Sequence, residues 1–228
     1  MSAARALPAR IAAGLRALAA DRTGTPVVEF ALVLPVLLTA YLGSFVVLDA
    51  ISCSRKVSIA ANQVTDITSR YMSVTTGDLD TIMAATTQIM QPYNASNAMV
   101  RLSQVQVCAS GYKGKSGIVA RVVWSQARNG TARTVDTTSG GTQPVGNPQE
   151  VPDAALITLP ANMLTSTSPL IPASGCATGG YFILGEMDYT YTPALKMFAV
   201  GSTSSFTFTE SSYMSPRGTT SIGLVTGT

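Results

Sequence analysis

The sequence contains no histidine, and only 12% of its residues are charged. Without histidine the chain has no serine–histidine triad, no histidine–carboxylate metal site and no imidazole acid–base catalysis. The three cysteines, Cys53, Cys108 and Cys176, are too few and too dispersed for a structural zinc site. These absences disfavour most classes of enzyme, and we predict that the protein has no catalytic residue, no metal and no cofactor.

The few charged residues are unevenly distributed along the chain. The first 24 residues contain four arginines and a single acidic residue, Asp21. From Thr25 onward the sequence has 11 basic and 11 acidic side chains, so the remainder carries no net charge. Because no basic tract is present that could neutralise a phosphate backbone, we expect no nucleic-acid partner.

One run of 19 residues, from Phe30 to Leu48, contains no charge. A helix rises 1.5 Å per residue and the hydrocarbon layer is about 30 Å thick, so about 20 apolar residues are needed to cross it. The run is also longer than the apolar stretch of a typical cleaved secretory signal. It therefore predicts a retained anchor in membrane lipid, with a buried core helix as the alternative. Pro35 is expected to kink or loosen one turn of this helix.

The flanking charges indicate an orientation for that anchor. Four arginines precede the run, whereas Arg55 and Lys56 are the only nearby cations that follow it. The positive-inside rule then predicts a cytoplasmic amino terminus and places the residues beyond about 50 on the outer side of the membrane.

An acidic residue, Glu29, directly precedes the uncharged run. A carboxylate near hydrocarbon costs up to about 2.5–3.5 kcal/mol at the bilayer centre and less towards the interface, so it requires a partner. The segment GTPVVEF, which starts at Gly24, resembles the processing motif of type IV prepilins. That resemblance implies that a prepilin peptidase cuts after Gly24 and frees the amino group of Thr25. It further implies that Glu29, followed by the aromatic Phe30, meets this amine on a neighbouring subunit and sets the assembly register.

Beyond the uncharged run, apolar residues continue at alternating spacings of four and three. They are Cys53, Val57, Ala60, Val64, Ile67 and Tyr71. Such a narrow seam on a polar helix either packs on its own domain or forms a helix–helix contact in a filament. We expect this helix to end at Gly77, and Asp78 to cap a second amphipathic helix that extends to about Met90.

From about Val100 the hydrophobic period changes to two, which is typical of strands. Strands are predicted near 105–107 and at 118–128, 181–191 and 205–213. The dipeptide Asn129-Gly130 predicts a hairpin turn into a further strand at 131–136, and residues 137–150 are predicted to form a loop. The predicted order is two strands, a long connecting segment (the excursion) and two more strands. This order predicts an antiparallel sheet, with the long helix across one face.

The positions of the cysteines suggest one disulfide. Cys108 ends one predicted strand and Cys176 precedes another. Outside the cytoplasm such a pair is expected to oxidise, and two buried free thiols are the alternative. Cys53, at the predicted membrane boundary, is expected to stay unpaired.

Three patterns imitate binding sites. The loop Gly111-Tyr112-Lys113-Gly114-Lys115-Ser116 has two residues between its glycines where a phosphate-binding loop needs four, and it joins strand to strand. We interpret it as a hairpin loop. The carboxylate pairs Asp78/Asp80 and Glu186/Asp188 do not gather enough ligands for a hard cation.

The combined pattern resembles the TadE-like (TadE/TadG) family of pseudopilins of the tight-adherence, or Flp, type IV pilus system. The similarity lies in residues 21–35 (DRTGTPVVEFALVLP), including the membrane-helix proline, in residues 186–193 (EMDYTYTP) and in residues 213–217 (YMSPR). It implies a minor pilin-like subunit that a prepilin peptidase processes. Its other implied partners are further pilin-like subunits and the pilus assembly platform, and its implied role is in pilus assembly and surface attachment.

Taken together, the sequence predicts an α+β protein with a single transmembrane helix that extends into a long amphipathic helix and then an antiparallel, pilin-like β-sheet head. The predicted segments are a basic cytoplasmic leader (1–24), a transmembrane helix (25–52), a periplasmic helical stalk (53–92) and a periplasmic β-rich domain (93–228). The predicted location is the bacterial inner membrane. The alternative function is that of an uncleaved, membrane-anchored periplasmic binding or envelope-scaffold protein.

Overall fold

The computed structural model describes residues 25–135, 153–193 and 205–225. The chain divides into two compact units, Met1–Leu48 and Asp49–Thr228. The described helices are α1 (Thr25–Ser69), α2 (Thr76–Ala84) and α3 (Thr86–Ile89). The described strands are β1 (Ser73–Thr75), β2 (Ala98–Val107), β3 (Val119–Arg128), β4 (Leu156–Thr158), β5 (Tyr181–Tyr191), β6 (Phe206–Met214) and β7 (Gly223–Val225). The protein is therefore α+β, with a long helix followed by antiparallel strands, as the sequence predicts.

The first unit contributes the apolar part of α1. This part contains the uncharged run, and the helix continues through Pro35 without a break. An 18-residue window within it is long and apolar enough to cross a membrane, and none of that window is buried. The side chains of Leu32, Val36 and Leu37 are among those exposed. The structure therefore contradicts the alternative that this segment is a buried core helix.

The part of α1 in the second unit is buried along the seam that its sequence spacing marks. Cys53, Val57, Ala60 and Val64 are fully buried. They belong to one apolar cluster with side chains of β2 and β5, including Leu102. This half of the helix thus packs on its own sheet, which is the first of the two alternatives.

The end of α1 differs from the prediction. The helix ends at Ser69, not at Gly77, and the Ser69 carbonyl accepts a hydrogen bond from the backbone N–H of Arg217 at 2.9 Å. The chain then enters β1, which pairs in parallel with β7. No local pattern in the sequence indicates this pair, because each strand has only three residues.

The N-cap of α2 also differs from the prediction. Thr75, not Asp78, is the N-cap residue, and its hydroxyl accepts the backbone N–H of Asp78 at 3.1 Å. The Asp78 carboxylate accepts the Thr75 backbone N–H at 2.9 Å in return. A threonine three residues before an acid forms this reciprocal capping box, so Gly77 lies inside the helix and does not end α1. The helical segment up to Met90 is also divided, at Ala85, into α2 and α3.

The main sheet has the strand order β4-β3-β2-β5-β6, and all of its pairs are antiparallel. The predicted succession of two strands, an excursion and two strands is confirmed. One face of the sheet packs against α1 and α2. The opposite face has a second apolar cluster that includes Val105, Val122, Leu184 and, from the excursion between β4 and β5, Leu159.

The predicted hairpin after β3 is wrong. Asn129 does turn the chain, with a φ of 56°, but residues 131–135 form no strand, and residues 136–152 lie outside the described chain. Contacts to the sheet face hold the segment after Asn129, since the Arg133 side chain donates to the Glu186 carboxylate of β5 at 2.7 Å. The chain instead crosses the sheet face, where the Arg133 backbone N–H donates to the Ser125 hydroxyl at 3.0 Å.

A glycine sets how closely α1 approaches the sheet. A Cβ atom at Gly185 in β5 would overlap Oγ1 of Thr65 and would lie 3.2 Å from the carbonyl oxygen of Ala61. Thr65 cannot easily turn away, because it is fully buried and its hydroxyl donates to the same Ala61 carbonyl at 2.6 Å. The helix and β5 therefore need a residue without a side chain at this contact.

We predict that Gly185→Ala lowers the free energy of unfolding by about 1–3 kcal/mol, because overpacking forces backbone and side-chain shifts. The measurement is urea unfolding of the full chain in detergent, followed by the fluorescence of the buried Trp124. Gly223→Ala is the matched control, since a Cβ there meets nothing within 4 Å. Equal losses for the two variants would contradict this packing argument.

Candidate functional site

The site that the sequence predicts lies at the start of α1. Gly24 falls outside the described residues, and Thr25 is described only through its backbone. Glu29 is exposed, and the next residue, Phe30, is 62% exposed. Among the described residues, none provides a cation within ion-pair distance of Glu29. Glu29 is thus a carboxylate on an apolar, exposed helix surface.

This arrangement determines what Glu29 can do chemically. At a membrane boundary an unpaired carboxylate is costly, and an amine from another chain would neutralise it. Thr25 precedes Glu29 by four residues, so its backbone nitrogen lies about 6 Å from that position along the helix axis. An amino group freed at Thr25 would therefore lie about one turn from Glu29 along the same helix.

A second polar cluster, which sequence reasoning missed, lies at the first residue of the second unit. Oδ1 of Asp49 accepts a hydrogen bond from the Tyr93 hydroxyl at 2.8 Å, and Oδ2 accepts one from the Tyr191 hydroxyl at 2.6 Å. Tyr93 lies in the loop after α3, and Tyr191 is the last residue of β5. The carboxylate that ends the uncharged run is thereby bonded to two distant parts of the β-rich unit.

The two tyrosines are held in the neutral, hydrogen-donating form. Burial raises the pKa of both Tyr93 and Tyr191 well above the usual tyrosine range, and the hydrogen bond to the Asp49 carboxylate raises each pKa further. Cys53 lies one helical turn after Asp49. Burial and, to a smaller extent, the nearby Asp49 charge raise the pKa of the Cys53 thiol to about 11. Cys53 is a free, buried and protonated thiol, so it has little nucleophilic character.

Aromatic packing supports the Asp49 cluster. The ring of Tyr93 packs edge-on against Tyr189 and Tyr191, with centroid separations of 6.3 and 6.4 Å. The ring of Tyr191 also lies 6.0 Å from that of Phe208 in β6. The sequence separations of 44 and 142 residues between Asp49 and its two partners explain why no local pattern indicated the cluster.

Cys108 and Cys176 form a disulfide in the structure, with a sequence separation of 68 residues. Both cysteines are fully buried, and they join the end of β2 to the segment before β5. Next to the bridge, the Ala109 backbone N–H donates to the Gly175 carbonyl at 2.7 Å. The bridge therefore fixes one end of the long excursion between β4 and β5.

The patterns that imitate binding sites are accounted for by local contacts. The loop after β2 joins it to β3, and its Lys113 and Lys115 both pair with Asp153, at 3.6 and 3.3 Å. Glu186 accepts hydrogen bonds from Arg101 and Arg133. Within the described ranges, no group of three or more cysteine or acidic side chains is placed to hold a metal ion.

Comparisons with protein-family models, with curated proteins and with solved structures found no match to this chain.

We predict that Tyr93→Phe and Tyr191→Phe each lower the free energy of unfolding by about 1.5–3 kcal/mol, the usual contribution of a hydrogen bond to a charged group. Urea unfolding of the full chain in detergent measures the loss. Tyr71→Phe, at an exposed ring, is the control and should change stability by less than about 0.5 kcal/mol. If Tyr191→Phe behaved like the control, the hydrogen bond to Asp49 would not be stabilising.

The double variant Cys108→Ser/Cys176→Ser should be less stable than the parent by about 4 kcal/mol, because the bridge restricts a long loop in the unfolded chain. Thermal or urea unfolding with and without reductant measures this effect. Reductant should lower the stability of the parent to that of the variant and should not change the stability of the variant. A parent that is insensitive to reductant while its cysteines are fully reduced would contradict the prediction.

Proposed function

We propose that the protein is a minor pilin-like subunit, a pseudopilin, that takes part in the assembly of a tight-adherence or Flp-type pilus and in surface attachment. The observation that carries this proposal is Glu29. It is an exposed carboxylate at the edge of an exposed apolar helix, and it stands five residues after Gly24 in a segment that follows a basic leader.

In this proposal α1 anchors the chain in the bacterial inner membrane. A prepilin peptidase cuts after Gly24, and the new amine of Thr25 pairs with Glu29 of an adjoining pilin-like subunit. Helices that lie side by side at the correct stagger bring the two groups together. The pair then stabilises that stagger, because each charge is costly in a low-dielectric setting without the other. Phe30 and its apolar neighbours supply the surface that packs against the next helix.

The same proposal assigns the β-rich unit to the periplasm. Two features support this orientation: the four arginines before the apolar run, and the Cys108–Cys176 disulfide, since such bonds persist in oxidising compartments. In this role the protein has no catalytic activity, and its partners are the prepilin peptidase, other pilin-like subunits and the assembly platform.

The variant Glu29→Gln tests the register pair. It should still insert in the membrane, but the amount that co-purifies with other pilin-like subunits should fall at least about tenfold, because removing one partner of a buried ion pair costs about 3–5 kcal/mol. Crosslinking and co-purification from membranes of cells that make the pilus measure this loss.

The matched control is Glu210→Gln, which removes a carboxylate from the β-rich unit and should leave assembly unchanged. Unchanged assembly of Glu29→Gln would contradict the pilin-like role. That outcome would favour the alternative, an uncleaved membrane-anchored binding or envelope-scaffold protein.

A further inference from the structure

We propose that the end of the β-rich unit that holds Asp49 rests on the lipid headgroup layer while the chain is anchored. This inference depends on the membrane anchoring in the proposed function. It concerns a different surface, defined here as the Asp49 end: Asp49, Ile51, Arg55, Tyr93, Tyr191 and Phe206.

Chain connectivity fixes where this surface lies. Asp49 is bonded to Leu48, the last residue of the uncharged run, so a run that spans the bilayer places Asp49 at the boundary. Tyr93 and Tyr191 reach the Asp49 carboxylate within 2.8 Å. The loop after α3 and the end of β5 are therefore held at the same boundary.

The Asp49 end presents little negative charge. Both oxygens of the half-buried Asp49 carboxylate accept hydroxyl hydrogen bonds, which compensate its charge locally. On β5, Asp188 alternates with Tyr189 and Tyr191 and so lies on the opposite face of the sheet. On α1 the next acid is Asp66, 17 residues and about 25 Å further along the helix. The exposed Arg55, by contrast, suits a surface of anionic lipids.

The same end exposes apolar side chains. Phe206 pairs with Tyr191 in the sheet register and is 41% exposed, whereas Phe208, two residues on, packs into the core cluster. Ile51 on α1 is 45% exposed. Aromatic side chains with an apolar body are enriched where a protein meets the headgroup level, because one part of the surface is wet and the other is not.

The hydroxyl–carboxylate bonds therefore have a function beyond stability. They allow the aromatic and aliphatic side chains of the Asp49 end to face the bilayer, because the Asp49 carboxylate is already compensated by the two hydroxyl groups. A headgroup layer fits this chemistry better than an acidic protein partner, since the surface offers exposed apolar groups and only one exposed cation, Arg55, among its described residues.

Tryptophan quenching by brominated lipid tests the proposal in the full chain, reconstituted in phosphatidylcholine–phosphatidylglycerol vesicles. The probe is Phe206→Trp, and Ile51→Trp, which lies within the predicted transmembrane helix, is the positive control. The control is Leu170→Trp, at a residue 37% exposed whose carbonyl accepts the N–H of Gly180. Gly180 precedes the first residue of β5 and Tyr191 is its last, so probe and control are separated by about 33 Å of strand. The native Trp124 is buried and gives the same background in all variants.

We expect the emission added at 206 and at 51 to be roughly halved by phospholipid brominated near the headgroup, and the emission added at 170 to be unaffected. Chains that show quenching at 51 but none at 206, or equal quenching at 206 and 170, would overturn the lipid contact and leave the anchor intact. Chains that do not float with the vesicles would overturn both this inference and the membrane anchoring.

Discussion

The structure depends on one helix that meets two different environments. The first part of α1 leaves apolar side chains exposed, whereas the part after Asp49 buries its apolar seam against the main sheet. In water the first part would be unfavourable, because a contiguous apolar surface of this kind calls for lipid or another protein. A membrane would satisfy it, and so would the neighbouring helices of the proposed assembly.

Acidic residues flank both ends of the exposed apolar stretch, and they differ in whether the chain itself provides a hydrogen-bond partner. Asp49 is compensated within its own chain by Tyr93 and Tyr191, so its position is fixed by the fold of the β-rich unit. Glu29 has no such partner among the residues that the structure describes. This difference is the physical basis for assigning an intermolecular role to Glu29 and an architectural one to Asp49.

Local patterns in the sequence predicted much of this fold. The apolar run, the seam through Val57 and Val64 and the period-two strands each reflect which face of an element is exposed or buried. The helix could therefore be predicted, although not its end, and β3, β5 and β6 could be located to within about one residue. The hairpin at Asn129-Gly130 failed because turn chemistry does not reveal that Arg133 is held by Ser125 and Glu186 on the sheet face. The Asp49 cluster could not be predicted either, since Tyr191 is brought to Asp49 only by the completed sheet. The capping box follows from the spacing of Thr75 and Asp78, three residues apart, whereas the prediction named Asp78 as the cap.

The most direct test of the central claim is the mass of the amino-terminal peptide of the protein extracted from membranes of cells that make the pilus. If Glu29 pairs with a freed amine, the mature chain starts at Thr25. A chain that keeps residues 1–24 while the pilus system is working would contradict the account, because Glu29 would then lack the amine that its position requires.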